Sequence, residues 1–421
     1  MRRVVVTGVG IISPLGLSAP EHYRRLLDGE CGLEPVDATR FRNYPPILQS
    51  RIHGFDARRF IPDRMLRKLL SASPATAVAS AAEALADARV EGEACIDCGL
   101  FVGSVCLDVN PEALIPALRE SISAQNVVDL ERFATRGIKL VDPLFLVKSL
   151  PNAGLCAIAI QHQVLGANAN LTNGTVSGMQ AVIAAFEAIR DGTTDLALAG
   201  GYDSLLQMDC VIEHLVAGRL ALLDGSPARS CRPFRADSAG YALGEGAAFV
   251  LLESFDRAKA RAAAVYGELL SYGEASAPLG LLDPAAADAG ALAAAVDQAM
   301  AHAPSGLAVD VVFGDAVAVP GDDDRETSVF CRNVRSAGAF TASTPALGFL
   351  GAASGPFSLI HALLGFRAGV LPPVLNCDDL AADSAMPVVR QRRTASARTA
   401  LVWNSDRGIK NAALLVAAEP C

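Results

Sequence analysis

Aromatic residues make up only 5% of this 421-residue chain, with one tryptophan and six histidines. Small aliphatic side chains must therefore fill most of any large interior, and 51% hydrophobic residues with 36 glycines can supply them. No long basic run occurs and the formal net charge is −9, so nucleic acid is not expected as a partner. An acidic protein could dock only where basic residues cluster locally. No apolar run reaches about 18 residues, so no membrane span and no membrane partner are expected. The start, Met1-Arg2-Arg3 followed by Val4-Val5-Val6-Thr7-Gly8, reads as a strand without the apolar stretch of a secretory leader. A cytoplasmic location is the expectation, and the ten irregularly spaced cysteines suit free thiols there. Cys95 and Cys98 form a lone C-x-x-C with no second pair and no histidine cluster. No metal and no cofactor are expected.

Length alone suggests two or three domains, although two packed halves could share one core. Arg3 to Ser13 reads as a buried strand, Asp63 to Ala88 as one long alanine-rich helix, and Asn168 to Thr172 as a strand before a helix from about Ser177 to Asp191. Asp195 to Gly200 and Ala247 to Glu253 are further strands. Residues 104–145 are less periodic, as an interface or cap would be. Beyond them Val265 to Glu274, Pro284 to Ala303 and Val309 to Gly314 read as strand, helix and strand. Thr399 to Asn404 and Ala412 to Ala418 make a terminal strand pair. Strands alternating with helices predict an α/β fold with largely parallel sheets covered on both faces. Internal duplication is only weakly suggested.

The most specific stretch is Cys231-Arg-Pro-Phe-Arg-Ala-Asp-Ser-Ala-Gly-Tyr-Ala-Leu-Gly-Glu-Gly-Ala247. It resembles the R-P-F-D-x-x-x-x-G-x-x-x-G-E-G-A signature of β-ketoacyl synthases, departing at Arg235, where that family has aspartate. Val4 to Gly16, Asp195 to Asp203, Leu347 to Gly355 and Leu371 to Asn376 resemble other family motifs in the same order. The resemblance covers nearly the whole chain. It implies a thiolase-like fold, two similar α/β halves in a five-layer α-β-α-β-α arrangement, divided as 1–255 and 256–421.

In that family a cysteine at a helix N-terminus forms a thioester, helped by the helix dipole and by backbone N–H groups facing the carbonyl. Two histidines donate hydrogen bonds to the malonyl carbonyl. Here the cysteine position is Thr175, and a hydroxyl needs an adjacent base to act. The first histidine position falls at Gly314 or Asp315, and a negative Asp315 would oppose an enolate. The second falls at Phe349, read as packing that plugs the vacated pocket. A family lysine falls at Thr344. The loop that carries a gating phenylalanine in active synthases reads Asn404-Ser-Asp-Arg-Gly-Ile-Lys-Asn411. None of the six histidines lies at a catalytic position.

Each position also has a plain structural reading. Thr175 reads as a helix cap or small filler, and Asp315 as a hydrogen-bonded structural carboxylate. Asp322 to Asp324 with Arg325 and Glu326 read as a solvated loop. Glu245 reads as a loop anchor, Gln180 as a helix residue, and Cys106 and Cys156 as core thiols.

These losses resemble the chain length factor, or ketosynthase β subunit, of type II polyketide synthases. The resemblance implies no catalytic residue, an active ketosynthase α as heterodimer partner, and acyl carrier protein as a transient partner. Segment 104–150 is expected to reach the partner. Two alternatives stand beside this: a malonyl-carrier-protein decarboxylase or acyltransferase using Thr175, and a homodimeric acyl-binding protein.

Overall fold

The computed structural model describes residues 2–37, 45–105, 111–235, 237, 238, 240–277, 288–377, 380 and 386–418. Cys106 and residues 284–287, the expected start of one helix, lie outside them.

Ten strands carry the architecture. The first five are β1 (Val4–Ile12), β2 (Gly99–Gly103), β3 (Asn168–Leu171), β4 (Leu196–Ser204) and β5 (Leu243–Ser254). They lie side by side in the order β3-β2-β4-β5-β1. The second five are β6 (Gly267–Ser276), β7 (Val311–Phe313), β8 (Ala339–Thr341), β9 (Thr399–Asp406) and β10 (Lys410–Ala417). Their order is β8-β7-β9-β10-β6, the same permutation. In both groups the first strand runs antiparallel to the fifth and the fifth to the fourth, while the remaining pairs are parallel. The duplication that the sequence suggests weakly is thus plain in the topology. The pattern restarts between Ser254 and Gly267, and we propose the 255/256 division on that restart. Val4–Val6 pairs with Gly267–Leu269, joining the two groups edge to edge.

The sheets are less parallel than expected. Strands β9 and β10 are joined by a tight turn, which permits only an antiparallel pair. The β4–β5 link is long enough for either direction, so spacing alone could not reveal that β5 also returns antiparallel.

Six helices cover the strands: α1 (Ala72–Asp87), α2 (Ala153–His162), α3 (Ser177–Arg190), α4 (Gly290–Ala301), α5 (Pro320–Asn333) and α6 (Ser354–Ala368). Period-two alternation sends successive strand residues to opposite faces. On β5, Phe249 and Leu251 meet Val78, Leu85 and Ile158 of α1 and α2. Its neighbours Val250 and Leu252 enter a central core with Ile183 and Phe186 of α3 and Leu359 and Leu363 of α6. On β10, Leu414 joins that central core, whereas Leu415 packs with Val296 of α4 and Phe330 of α5. Helix, sheet, helix, sheet and helix therefore stack as five layers. Close contact between α1 and β1 requires glycine: a Cβ on Gly10 would stand 2.0 Å from the Ser80 carbonyl oxygen.

Two sequence expectations are corrected. The long helix from Asp63 is two helices, Arg64–Leu69 and α1, because Leu70 is extended and Pro74 sits in the new first turn. Asp322 to Glu326 is no solvated loop. It lies in the first turns of α5, with Asp323 and Glu326 buried.

The central layer also holds a buried imidazole pair. His22 Nε2 lies 2.8 Å from His361 Nε2, and His22 Nδ1 lies 2.6 Å from Ser13 Oγ. Burial, then His361 and Arg25, hold His22 well below the usual histidine range, and burial takes His361 down to about 3. The folded state therefore binds fewer protons than the unfolded chain below pH ~6.5. The pair's stability contribution is complete above that pH and declines as pH falls towards the folded values. The His361→Phe variant should show a slope of unfolding free energy against pH, between 6 and 5, shallower than wild type by up to ~1.4 kcal/mol per pH unit. Urea titrations at several pH values measure it, and parallel slopes would refute the assignment.

Candidate functional site

The site forms where β3 turns into α3. Ser177 Oγ accepts the Asn173 N–H at 2.6 Å and donates to the Gly174 carbonyl at 2.6 Å, fixing the turn. Gly174 takes φ +73, and a Cβ there would stand 1.9 Å from Asp406 Oδ2. The Asp406 carboxylate thus lies directly on the turn. Thr175 follows, 5% exposed, at the positive end of α3. Among the described residues its hydroxyl has no side-chain hydrogen bond and no base bonded to it.

Thr175 lines a cavity of about 270 Å³ with Val105, Leu205, Cys210, Glu213, His214, Phe349, Asp406, Arg407 and Ile409 among its walls. Phe349 is stacked on Tyr241 at 4.6 Å and tilted against His214 at 5.9 Å. Its other side lines a smaller cavity of about 30 Å³, with Asp315, Arg219, Asp322, Arg325 and Glu326. Phe349 and Arg407 therefore both border the two cavities.

Gly314 has no room for a side chain: a Cβ would stand 2.2 Å from Glu326 Oε1 and 2.6 Å from the Phe340 ring. Asp315 takes the place instead. Its carboxylate accepts from Asn404 Nδ2 at 2.8 Å and the Ser405 N–H at 2.7 Å. Thr344 Oγ1 donates to the Asp315 carbonyl. Glu326 accepts from the Asp315 N–H at 2.7 Å, the Ala316 N–H at 3.0 Å and Trp403 Nε1 at 2.6 Å. Burial, and next the Glu326 carboxylate, push Asp315 well above the ordinary carboxylate range. Asp315 is thus a buried, hydrogen-bonded carboxyl group in a setting that disfavours its charged form.

Sequence reasoning missed His214. It lies on the helix Met208–Val216, outside every motif, and reaches the Thr175 cavity only through the fold. Burial, then Arg407, take it down to about 4, so it is neutral. Arg219 Nε donates to the Tyr241 hydroxyl oxygen at 3.1 Å, and that hydroxyl lies 2.8 Å from His214 Nδ1. The Tyr241 proton is thereby assigned to Nδ1, which leaves the imidazole hydrogen on Nε2. Asp406 was missed too: it lies in the Asn404 to Asn411 loop set against the family's phenylalanine-bearing loop, but was not singled out there.

Glu245 accepts from the Ile52 N–H and Ser204 Oγ, each at 2.9 Å, and so ties two loops together. Gln180 Nε2 donates to Glu274 Oε1 of β6 at 2.7 Å, linking α3 to the second half. Burial pushes the Cys98 thiol up to about 12 and raises Cys95 as well. Cys156 is exposed on α2 rather than part of a core, a correction that follows from its outward place on that helix.

Residues 1–258 match the β-ketoacyl synthase N-terminal domain, and residues 266–378 match its C-terminal domain. The chain belongs to the β-ketoacyl synthase family. It is 30% identical over 422 residues to the actinorhodin polyketide putative β-ketoacyl synthase 2 of Streptomyces coelicolor, covering 98% of each chain. It is 26% identical to the 3-oxoacyl-[acyl-carrier-protein] synthase 2 of Rhizobium meliloti, covering 99% of each. The solved ishigamide ketosynthase/chain length factor superposes with a TM-score of 0.85 at 22% identity, covering 100% of both chains. The thiolase-like ketosynthase fold accounts for the duplicated strand order. No helix among the described residues is long and apolar enough to cross a membrane.

Two features of this ketosynthase relative's surface stand out. Among the described residues, thirteen of the nineteen exposed large hydrophobic side chains lie between Ile115 and Leu165, just before β3. Strand β3 ends the sheet order with one edge unpaired among the described strands. Arg51, Arg59, Arg64 and Lys68 are also exposed, with no ion pair among the described residues.

Proposed function

We propose that this chain is a non-catalytic chain length factor, a ketosynthase β that pairs with an active ketosynthase α and shapes its elongation tunnel. The carrying observation is the Asp406 carboxylate lying on the turn beside Thr175, unpaired among the described residues. Condensation develops negative charge at that turn, and a fixed carboxylate there raises its energy. The hydroxyl of Thr175 has no bonded base, Gly314 can hold no imidazole, and Phe349 donates no hydrogen bond. The exposed apolar residues 115–165 and the open β3 edge support the partner, because a monomeric soluble protein rarely leaves such a face bare. The named likeness to a ketosynthase/chain length factor agrees with this. The exposed cations Arg51, Arg59, Arg64 and Lys68 offer charges that a transient, acidic acyl carrier protein could meet.

One observation favours a second reading. His214 shares the cavity with Thr175, so a Thr175-dependent decarboxylase or acyltransferase deserves a direct assay. The purified chain is expected to release no carbon dioxide from malonyl-carrier protein above background, and Thr175→Val should change nothing. Release that disappears in Thr175→Val would overturn the non-catalytic reading.

A further inference from the structure

We infer that the cavity beside Thr175 is a binding site for a short, uncharged acyl group, with Phe349 as its floor and Asp406 excluding carboxylated acyl groups. This rests on the non-condensing reading above, because a condensing site must admit a carboxylated extender.

Size comes first. A cavity of about 270 Å³ lies just below the ~300–1,000 Å³ range of sites for drug-sized ligands, so a short group suits it. Val105, Leu205, Phe349 and Ile409 make its walls largely apolar, which suits an alkyl chain. The chain cannot be long. Phe349 closes the cavity from the smaller space at Leu292 and Val317, and its stacking on Tyr241 holds the ring there.

Charge comes second. Arg407 pairs with Glu213 at 2.7 Å, so that cation and anion cancel. His214 is neutral. Asp406 is left as the uncompensated charge of the lining, with no hydrogen bond to its carboxylate among the described residues. A second carboxylate entering this space would be repelled at short range, in surroundings drier than bulk water. An uncharged acyl group meets no such penalty, and its carbonyl oxygen has a donor available in the Nε2–H of His214. That nitrogen has no protein partner among the described residues.

The site selects by two independent features, so two substitutions separate them. Asp406→Asn removes the charge and keeps the shape. Phe349→Ala opens the floor into the second cavity, and Phe349→Leu does so in part should the alanine variant fold poorly.

The test uses the purified full chain with butyryl-, octanoyl- and malonyl-N-acetylcysteamine, followed by calorimetry and saturation-transfer NMR. Butyryl thioester should bind, with malonyl at least about tenfold weaker, the size of effect a like-charge contact sustains in partly dried surroundings. Asp406→Asn should bring the malonyl affinity to within about threefold of the butyryl affinity of the same variant. Octanoyl thioester should bind only after Phe349→Ala or Phe349→Leu. Equal binding of malonyl and butyryl thioesters, an unchanged gap in Asp406→Asn, or no thioester binding at all would overturn the inference. Carbon dioxide release from the malonyl thioester is scored separately. It would overturn the non-condensing reading, whereas a failure of selectivity without release would overturn the site alone.

Discussion

Replacing Leu146 and Leu165 together with aspartate is expected to weaken association with the proposed ketosynthase partner by at least about 100-fold. The two side chains are 74% and 65% exposed. They make little contact in the isolated chain, so its melting temperature should hold. In a complex each would be buried, and a leucine transferred from water is worth ~1.5–3 kcal/mol. An aspartate at the same place forfeits that gain and must also lose its hydration. Co-expression with the ketosynthase, affinity capture through one subunit and native mass spectrometry of the product read the result. Undiminished one-to-one complex from the double variant would show that the surface between Ile115 and Leu165 is not where the partner sits. The same charge change at Val216, 82% exposed on a different surface, is the matched control.

The Glu253→Ala variant should lose about 3–5 kcal/mol of stability, the range for stranding the partners of a buried ion pair. Glu253 is fully buried at the end of β5. Its carboxylate accepts from Thr7 Oγ1 on β1, from Arg257 Nε at 3.1 Å and from Arg261 Nε at 2.9 Å, with a further bond from Arg261 Nη2. Arg261 also holds the Ala88 carbonyl at 2.8 Å, just beyond α1. One side chain thus fastens β5, β1, the end of α1 and the connection into the second half. Alanine leaves two guanidinium groups and a buried hydroxyl without their acceptor. Glu253→Gln keeps one acceptor oxygen and loses the charge, so it should fall between wild type and alanine. Urea midpoints rank the three, and a loss below 1 kcal/mol for alanine would mean that water replaces the carboxylate.

The alternation of strands with alanine-rich helices was legible in the sequence because apolar spacing changes from two to about 3.6 between them. Strand direction was not legible. Nothing in Ala247 to Glu253 says that β5 lies antiparallel between β4 and β1, since that is decided by which edges remain when the sheet closes. Helix breaks are local, yet Leu70-Ser71 was hidden inside a run of helix-forming residues and became visible only through Pro74.

At the site, motif offsets led to Thr175, Gly314, Asp315, Thr344 and Phe349, and the fold brings these around two adjoining cavities. What the offsets could not supply was company. His214 enters from a helix about forty residues beyond Thr175, and Arg219 sets its tautomer through Tyr241. The charge state of Asp315 likewise depends on Glu326, which sequence reading left in a solvated loop. Groups separated in the chain by a turn of α5 or a whole motif meet here at hydrogen-bonding distance.

Strand β10, Lys410–Ala417, lies in the interior of its sheet between β9 and β6. Take it away and β6 and β9 would face each other across a gap one strand wide. Val296 of α4 and Phe330 of α5 would lose the cover that Leu415 gives them. A deletion here removes a keystone, and its product would be met by chaperones and proteases before it could close its second half.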